Sequence, residues 1–300
     1  MSKPRKSNYR LSGERLLKHL DAVLHPDTGY PDKPSWGYAF SYLAALLTKD
    51  GESSPLAKKA LHHLALQDST DLNYSWEFVV YALQTARYRS PNLIPAHMDG
   101  YREKGTRMFN WFLLRRLNKK LCNTYNTIDH LKLWLASKIY QESSGLILDE
   151  FKTRSLQYHA FCLFAIAELL ETDPGNTWLK RWFTEGIRFS LSQTLEDGTA
   201  LYIGRGQEQI FGYGALIYSI EYCHSKVKTL NEDCINQISA RLLSFQREDG
   251  SYPLVLRHRD PEPKTANFAD DKPAGWYGYN TLYDYQPFLA YCLLKASNLR

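Results

Sequence analysis

Apolar residues recur at i, i+3, i+4 and i+7 in one window after another along this chain, the spacing that gathers them on one face of a helix. The windows run from Leu16 to Leu24, Tyr38 to Leu47, Ala57 to Leu66, Phe78 to Ala86, Met108 to Leu117, Leu131 to Tyr140, Leu156 to Leu170, Trp178 to Leu191, Tyr213 to Tyr222, Ile235 to Phe245 and Phe288 to Leu294. No alternating apolar and polar run is long enough to read as a strand, although Tyr252 to Leu256 reads as a short extended piece. The pattern predicts an all-α protein.

The turns between these windows also repeat. They are Asp27-Thr-Gly29-Tyr, Ser143-Ser-Gly145, Glu196-Asp-Gly198-Thr and Glu248-Asp-Gly250-Ser-Tyr. Gly145 to Gly198 is 53 residues, Gly198 to Gly250 is 52, and Gly29 to Gly145 is 116, about two such periods. Helical hairpins repeating at this interval bury their apolar faces only by stacking. The glycine supplies the left-handed residue that ends one helix and turns the chain back. The predicted fold is an (α/α) toroid, an incomplete barrel of five to six helical hairpins, with an open solenoid as the alternative. Residues 1–300 read as one such domain, with 1–10, which include the basic run Lys3 to Arg10, as a flexible basic tail.

In a toroid the inner-helix N-termini share one end, where unpaired N–H groups and positive dipole ends favour carboxylates. The longest loop, Pro253 to Gly275, carries Arg257-His258-Arg259 and Asp270-Asp271 and runs into Trp276-Tyr277. A loop of that length in a compact domain is either functional or disordered.

Composition narrows the partner. Hydrophobic residues are 44 % and charged residues 23 %, which excludes a disordered chain. The 21 Tyr, 7 Trp and 13 Phe suit either a large aromatic core or a half-wet sugar cleft. A net charge of +5 fits an anionic polysaccharide or oligosaccharide and is too scattered for nucleic acid. No apolar run is long enough for a membrane span. Lys3, Arg5 and Lys6 have no apolar run behind them, so no secretory signal is read. Five cysteines without a CxxC pair read as reduced thiols. The chain is expected to be cytoplasmic, or periplasmic if a leader has been removed. No cofactor is expected, and no metal, because HExxH, CxxC and i, i+4 histidine pairs are all absent.

Four clusters can carry chemistry. The first is Asp149-Glu150-Phe-Lys-Thr-Arg154-Ser-Leu-Gln-Tyr158-His159. On a helix Arg154 and Tyr158 share a face, and a cation beside a tyrosine favours its phenolate. Tyr158 is then a candidate acid or base and His159 a proton acceptor or carboxylate ligand. The competing reading is that both hydrogen-bond core groups at the inner wall. The second is Asn110-Trp111 amid apolar residues, where a buried amide needs a partner: a substrate carboxylate or a loop carbonyl. In the third, Tyr202-Ile-Gly204-Arg205-Gly206-Gln207-Glu208-Gln209, the glycines let the backbone approach a ligand while Arg205 offers a planar fork to a carboxylate. A structural Arg bonded to helix-end carbonyls is the other reading. The fourth is Asn280-Thr-Leu-Tyr283-Asp284-Tyr285, where Asp284 is an acid or an N-cap.

The run from Asn110-Trp111 to Asp149-Glu150 and Arg154-Ser-Leu-Gln-Tyr158-His159 resembles alginate lyases and heparinase II/III-like lyases of the α/α-toroid class, at the level of motifs between about Asn110 and Tyr222. The resemblance implies β-elimination on a uronic-acid polysaccharide. Asn110 and Arg205 would neutralise the C6 carboxylate and so acidify the C5 proton. His159 would act as base or neutraliser and Tyr158 as general acid or base, tuned by Arg154. Trp111, Tyr202, Arg257, His258, Trp276 and Tyr283 would join Arg154 in binding substrate. Two departures stand out: Trp111 sits where alginate lyases typically place a histidine, and these lyases are usually exported. The Gln246-Arg-Glu-Asp249-Gly-Ser-Tyr252 turn resembles a repeat of terpene cyclases, which is read as shared architecture.

Two further functions remain open. A glycoside hydrolase on the same scaffold would use two of Asp149, Glu150, Asp197, Asp249 and Asp284 across the scissile bond. A non-catalytic protein of exopolysaccharide assembly would only bind the polymer.

Overall fold

The computed structural model describes residues 2–67, 76–87, 108–257 and 281–299. All eleven apolar windows lie on helices: α1 (Ser2–Val23), α2 (Gly37–Ala45), α3 (Pro55–Leu66), α4 (Trp76–Arg87), α5 (Phe109–Leu121), α6 (Thr127–Tyr140), α7 (Leu156–Thr172), α8 (Thr177–Ser192), α9 (Ile210–Tyr222), α10 (Glu232–Ser244) and α11 (Leu282–Ser297). Short polar residues start several of them. Asn126 and Asp129 form a reciprocal capping box on α6, Asn176 accepts from Leu179 N on α8, and Ser54 precedes Pro55 on α3.

Burial sorts the helices into two layers. On α8 the buried residues are Leu179, Trp182, Phe183, Gly186, Ile187 and Ser190, one stripe at helical spacing. On α9 every residue from Ile210 to Tyr222 is buried. A helix apolar on all sides needs neighbours on all sides. The inner helices pack in the order α2, α4, α5, α7, α9, α11 and back to α2, so the ring closes and the open solenoid is excluded. Outside it, α3 packs on α2, α6 on α5, α8 on α7 and α10 on α9, while α1 packs on α11. The fold is an (α/α) toroid with six inner helices among the described residues. Residues 88–107, between α4 and α5 in the chain, lie outside the described residues.

Aromatic rings fill the centre. Trp36 stacks on Phe78 at 4.7 Å, Phe161 lies 5.1 Å from Phe211, and Phe211 lies 4.7 Å from Phe288. Deeper, Tyr81, Phe164 and Tyr291 continue the plug. The seam between α11 and α2 is fastened by polar groups. The Asp284 carboxylate accepts from the backbone N–H groups of Ser35, Trp36 and Gly37 at 2.7–3.2 Å. Asp284 thus neutralises the N-terminal end of α2 rather than capping its own helix, and burial pushes its carboxyl up to about 6. Gly37 sits against the Tyr283 carbonyl so closely that a Cβ would lie 1.8 Å from its oxygen.

The repeated turns fasten the outer layer. Asp197 accepts from Thr199 N and Oγ1, and Asp249 does the same with Ser251 N and Oγ, at the same place one repeat later. Gln141 donates to the carbonyls of Gly145 and of Trp182 on the next outer helix, and Gln246 donates to those of Gly250 and of Ser12 on α1. The extended piece at 252–256 makes one antiparallel bridge, Gln209 with Val255.

One expectation fails. Residues 2–10 are not a tail but the first turns of α1. Arg5 is 6 % exposed and pairs with the buried Glu221, and Tyr9 is fully buried beside them. Lys6 reaches Ser225 and the Leu299 carbonyl. A basic run was read as solvated, but its Arg and Tyr face the C-terminal part of the ring.

The turn geometry makes a testable demand. Gly198 has φ +82°, and a Cβ there would lie 2.2 Å from the Gln237 carbonyl oxygen of α10. Gly198→Ala is expected to cost at least about 2 kcal/mol of unfolding free energy. Gly175→Ala, with nothing within 4 Å of its Cβ, is expected to change stability by less than about 0.5 kcal/mol. Denaturant unfolding of the two variants checks the contrast.

Candidate functional site

Two segments, the turn 149–153 and the loop 203–206, meet at the N-terminal ends of α5 and α7. The turn 149–153 is tied to α5 by Phe109 N donating to the Asp149 carbonyl at 2.8 Å. The loop 203–206 is tied to α7, since Leu156 N donates to the Ile203 carbonyl and the N-cap Ser155 donates through Oγ to the Arg205 carbonyl at 2.7 Å. Gly204 and Gly206 both have positive φ, and the close approach they permit is to the chain itself. Gly204 lies against the backbone of Arg154 and Ser155, and Gly206 against the Gln157 amide. The expectation that these glycines clear space for a ligand is corrected accordingly.

Asp149 is the centre of the cluster. Its side chain is 1 % exposed. Asn110 Nδ2 donates to Oδ1 at 3.0 Å and Arg205 Nη2 to Oδ2 at 2.7 Å. Burial pushes the carboxyl up from its ordinary range, and the Arg205 charge pulls part of that shift back. Arg205 lies with its guanidinium carbon 4.6 Å from the centroid of the Tyr158 ring, a cation–π arrangement. Its side chain is 31 % exposed, so this charged group stands at the rim. Tyr158 is half-buried. The next inner amides, Gln157 and Gln209, are fully buried and bonded to each other beneath.

Asn110, Tyr158 and Arg205 are therefore brought together, with Asp149 between two of them. His159 is not. It is 1 % exposed on the far side of α7. Its Nδ1 accepts from Ile147 N at 2.9 Å, and its Nε2 lies 3.2 Å from the Gly186 carbonyl and 3.0 Å from Ser190 Oγ. Burial pushes its pKa down to about 4. Arg154 also departs from expectation. Because α7 begins at Leu156, Arg154 precedes the helix and does not share a face with Tyr158. It is 63 % exposed and pairs with Glu142 at 2.9 Å. Arg205 is the cation over Tyr158.

The other expected substrate contacts are dispersed. Trp111 packs edge-on to Phe78 at 5.3 Å, and Tyr202 donates to the Gln193 carbonyl. Arg257 reaches Gln207, and Tyr283 stacks on Tyr30 at 4.8 Å. His258 and Trp276 lie outside the described residues. Among the described residues no three His, Cys, Asp or Glu side chains are placed to hold a metal ion, and no helix is long and apolar enough to cross a membrane.

The loop that delivers Arg205 depends on Glu208, a member of the third cluster with no role assigned to it from the sequence. Glu208 is 2 % exposed and has φ +56°, a left-handed backbone that a residue with a Cβ adopts at a cost. Its carboxylate accepts from Leu201 N, Tyr213 Oη and Arg241 at 2.7–3.1 Å. A carboxylate one residue from a buried amide in a glycine-rich loop was the available signal.

No protein family matches this chain by sequence, and no curated protein does. Solved structures match it in fold. A polysaccharide lyase superposes with a TM-score of 0.59 at 10 % identity, covering 95 % of this chain and 97 % of its own. A glycosyl hydrolase family 88 protein from Bacteroides vulgatus gives 0.60 at 13 %, covering 96 % and 99 %. A possible member of the GH105 family from Salmonella enterica gives 0.63 at 11 %, covering 97 % and 94 %. The chain has the α/α-toroid fold of these proteins. At such identities the likeness is one of fold, and the resemblance to toroid lyases stands at that level.

His159 yields a pH prediction. Its pKa is near 6.5 in the unfolded chain and about 4 in the fold. The unfolded state therefore binds the extra proton between those values. The stability linked to this group is complete above pH 6.5 and is lost as pH falls toward 4, by about 3 kcal/mol in total. The thermal midpoint is expected to fall over that window, and His159→Gln to flatten the slope. An equal slope in the variant would remove His159 from the account.

Proposed function

We propose that the rim formed by Tyr158, Arg205, Asp149 and Asn110 is a glycan site of one toroid domain, and that it cleaves a uronic-acid-containing polysaccharide by β-elimination. The observation that carries this reading is the Arg205 guanidinium over the Tyr158 ring, anchored to a buried carboxylate. A fixed cation favours the phenolate form of a neighbouring tyrosine. Tyr158 then takes the C5 proton, or returns a proton to the leaving oxygen. Arg205, part-exposed, faces the C6 carboxylate whose charge grows as the C5 proton departs. Asn110 acts through Asp149 and not on the sugar, since its amide donates to that carboxylate. Asp149 and Asn110 are positioning residues here. His159 has no part in proton transfer, and Arg154 is an exposed contact for a neighbouring sugar unit.

A second reading has its own observation. Asp149 is buried with its carboxyl raised, the condition of a general acid in glycoside hydrolysis. The solved structures of this fold include both lyases and glycosyl hydrolases, so the scaffold does not choose between them.

Incubation with a panel of uronate polymers separates the readings. New ultraviolet absorbance from an unsaturated uronate supports elimination. Tyr158→Phe is expected to lower that rate by about 100-fold or more while folding and binding persist. Undiminished activity in the variant removes Tyr158 from the reaction. New reducing ends without the absorbance, lost in Asp149→Asn, transfer the assignment to the hydrolase. Binding without either product leaves a glycan-binding protein.

A further inference from the structure

Outer helices of a toroid turn their polar side to water, as α8 does with Arg181 and Arg188. The outer helix α6 does not. Leu133, Ala136 and Ser137 face α5, and yet the opposite side carries Ile128 at 63 % exposure, Leu131 at 54 %, Leu135 at 46 % and Ile139 at 56 %, with Trp134 at 40 % beside them. These positions recur at helical spacing and form one continuous stripe along the helix. Lys132 and Lys138 flank it. Five large apolar side chains open to water on one helix face make up a patch beyond what single scattered residues explain.

The order of residues in the stripe says what covers it. Read from either end it runs Ile, Leu, Leu, Ile, with spacings of three, four and four residues counted from Ile128. In an antiparallel pair of α6 helices about a two-fold axis near residue 133, Ile128 meets the partner copy's Ile139 and Leu131 meets its Leu135. A two-fold interface uses the same patch on both subunits and so requires this self-complementarity. Half-exposed side chains of this size each present about 100 Å². Five per copy give about 1,000 Å² across the pair, the lower bound for a specific interface.

We infer that the protein associates with a second copy of itself through antiparallel packing of α6 on α6. The stripe is on the outer layer, so pairing leaves the inner-helix N-termini of both copies open. The inference does not depend on what the rim binds.

Sedimentation equilibrium of the purified protein at micromolar concentration tests it. The expected species is a dimer. Leu131→Glu with Leu135→Glu places two charges per copy in the centre of the stripe and is expected to weaken dimerisation at least 100-fold. Both positions are exposed, so helix content and thermal midpoint should match a monomeric toroid, and circular dichroism checks this. A parent protein that stays monomeric at about 100 μM, tighter binding than the encounter range being expected of a built interface, overturns the proposal. So does a dimer that survives the double substitution, because it would form through another face.

Discussion

An inner helix apolar on all sides has to bury its whole circumference, and from that constraint much of the remaining architecture follows. A helix such as α9 with every residue buried can be satisfied only by neighbours on both flanks, a layer outside and a filled space inside. Six inner helices closed on themselves supply the flanks, the outer helices supply the cover, and aromatic rings fill the centre. The ring closes where the last helix meets the first inner one. There Asp284 takes the three N-terminal amides of α2 and Gly37 admits the Tyr283 carbonyl. Hydrogen bonds to the carboxylate partly offset the burial that raises its pKa.

The aromatic plug also decides where chemistry can sit. Among the described residues Trp36, Phe78, Phe161, Phe211 and Phe288 stand in a chain of ring contacts that fills the centre of the ring. The proposed glycan site is the rim, built from the turns and helix starts around Asp149, Ser155 and Arg205. Some charged pairs of the fold are buried on both sides. Arg5 with Glu221 and Arg115 with Glu77 are 5 % exposed or less on both sides, as befits buried charges that fold only when paired. Arg205 with Asp149 differs, joining a 1 % exposed carboxylate to a 31 % exposed guanidinium over a tyrosine ring. The pair fixes the cation without hiding it, a preorganised charge at a surface.

Glu208 and Arg241 form the support behind that arrangement. The left-handed backbone at Glu208 is held by the bonds of its carboxylate to Leu201, Tyr213 and Arg241, and it turns the loop so that Ser155 can grip the Arg205 carbonyl. The strain is local and the restraint is spread over α9 and α10, a common division of labour at functional loops.

The periodicity by itself determined the helices, because burial on one face or on all faces is written in residue spacing within a single segment. It also determined the repeat, since the Asp-Gly-Ser and Asp-Gly-Thr turns bind their own backbones in the same way one period apart. What lay beyond local reach came out differently. Arg154 and Tyr158 seemed paired by spacing, but the N-cap Ser155 starts the helix after Arg154 and sends it to Glu142. Tyr158 and His159, adjacent in the chain, face opposite sides of one helix, and only the packing of α8 shows that the histidine side is dry. Lys3 to Arg10 looked like a solvated tail because its partner Glu221 lies at the other end of the chain. Pairings of this kind depend on which surfaces the closed ring brings together, and a linear pattern carries no distance between segments that meet only after folding.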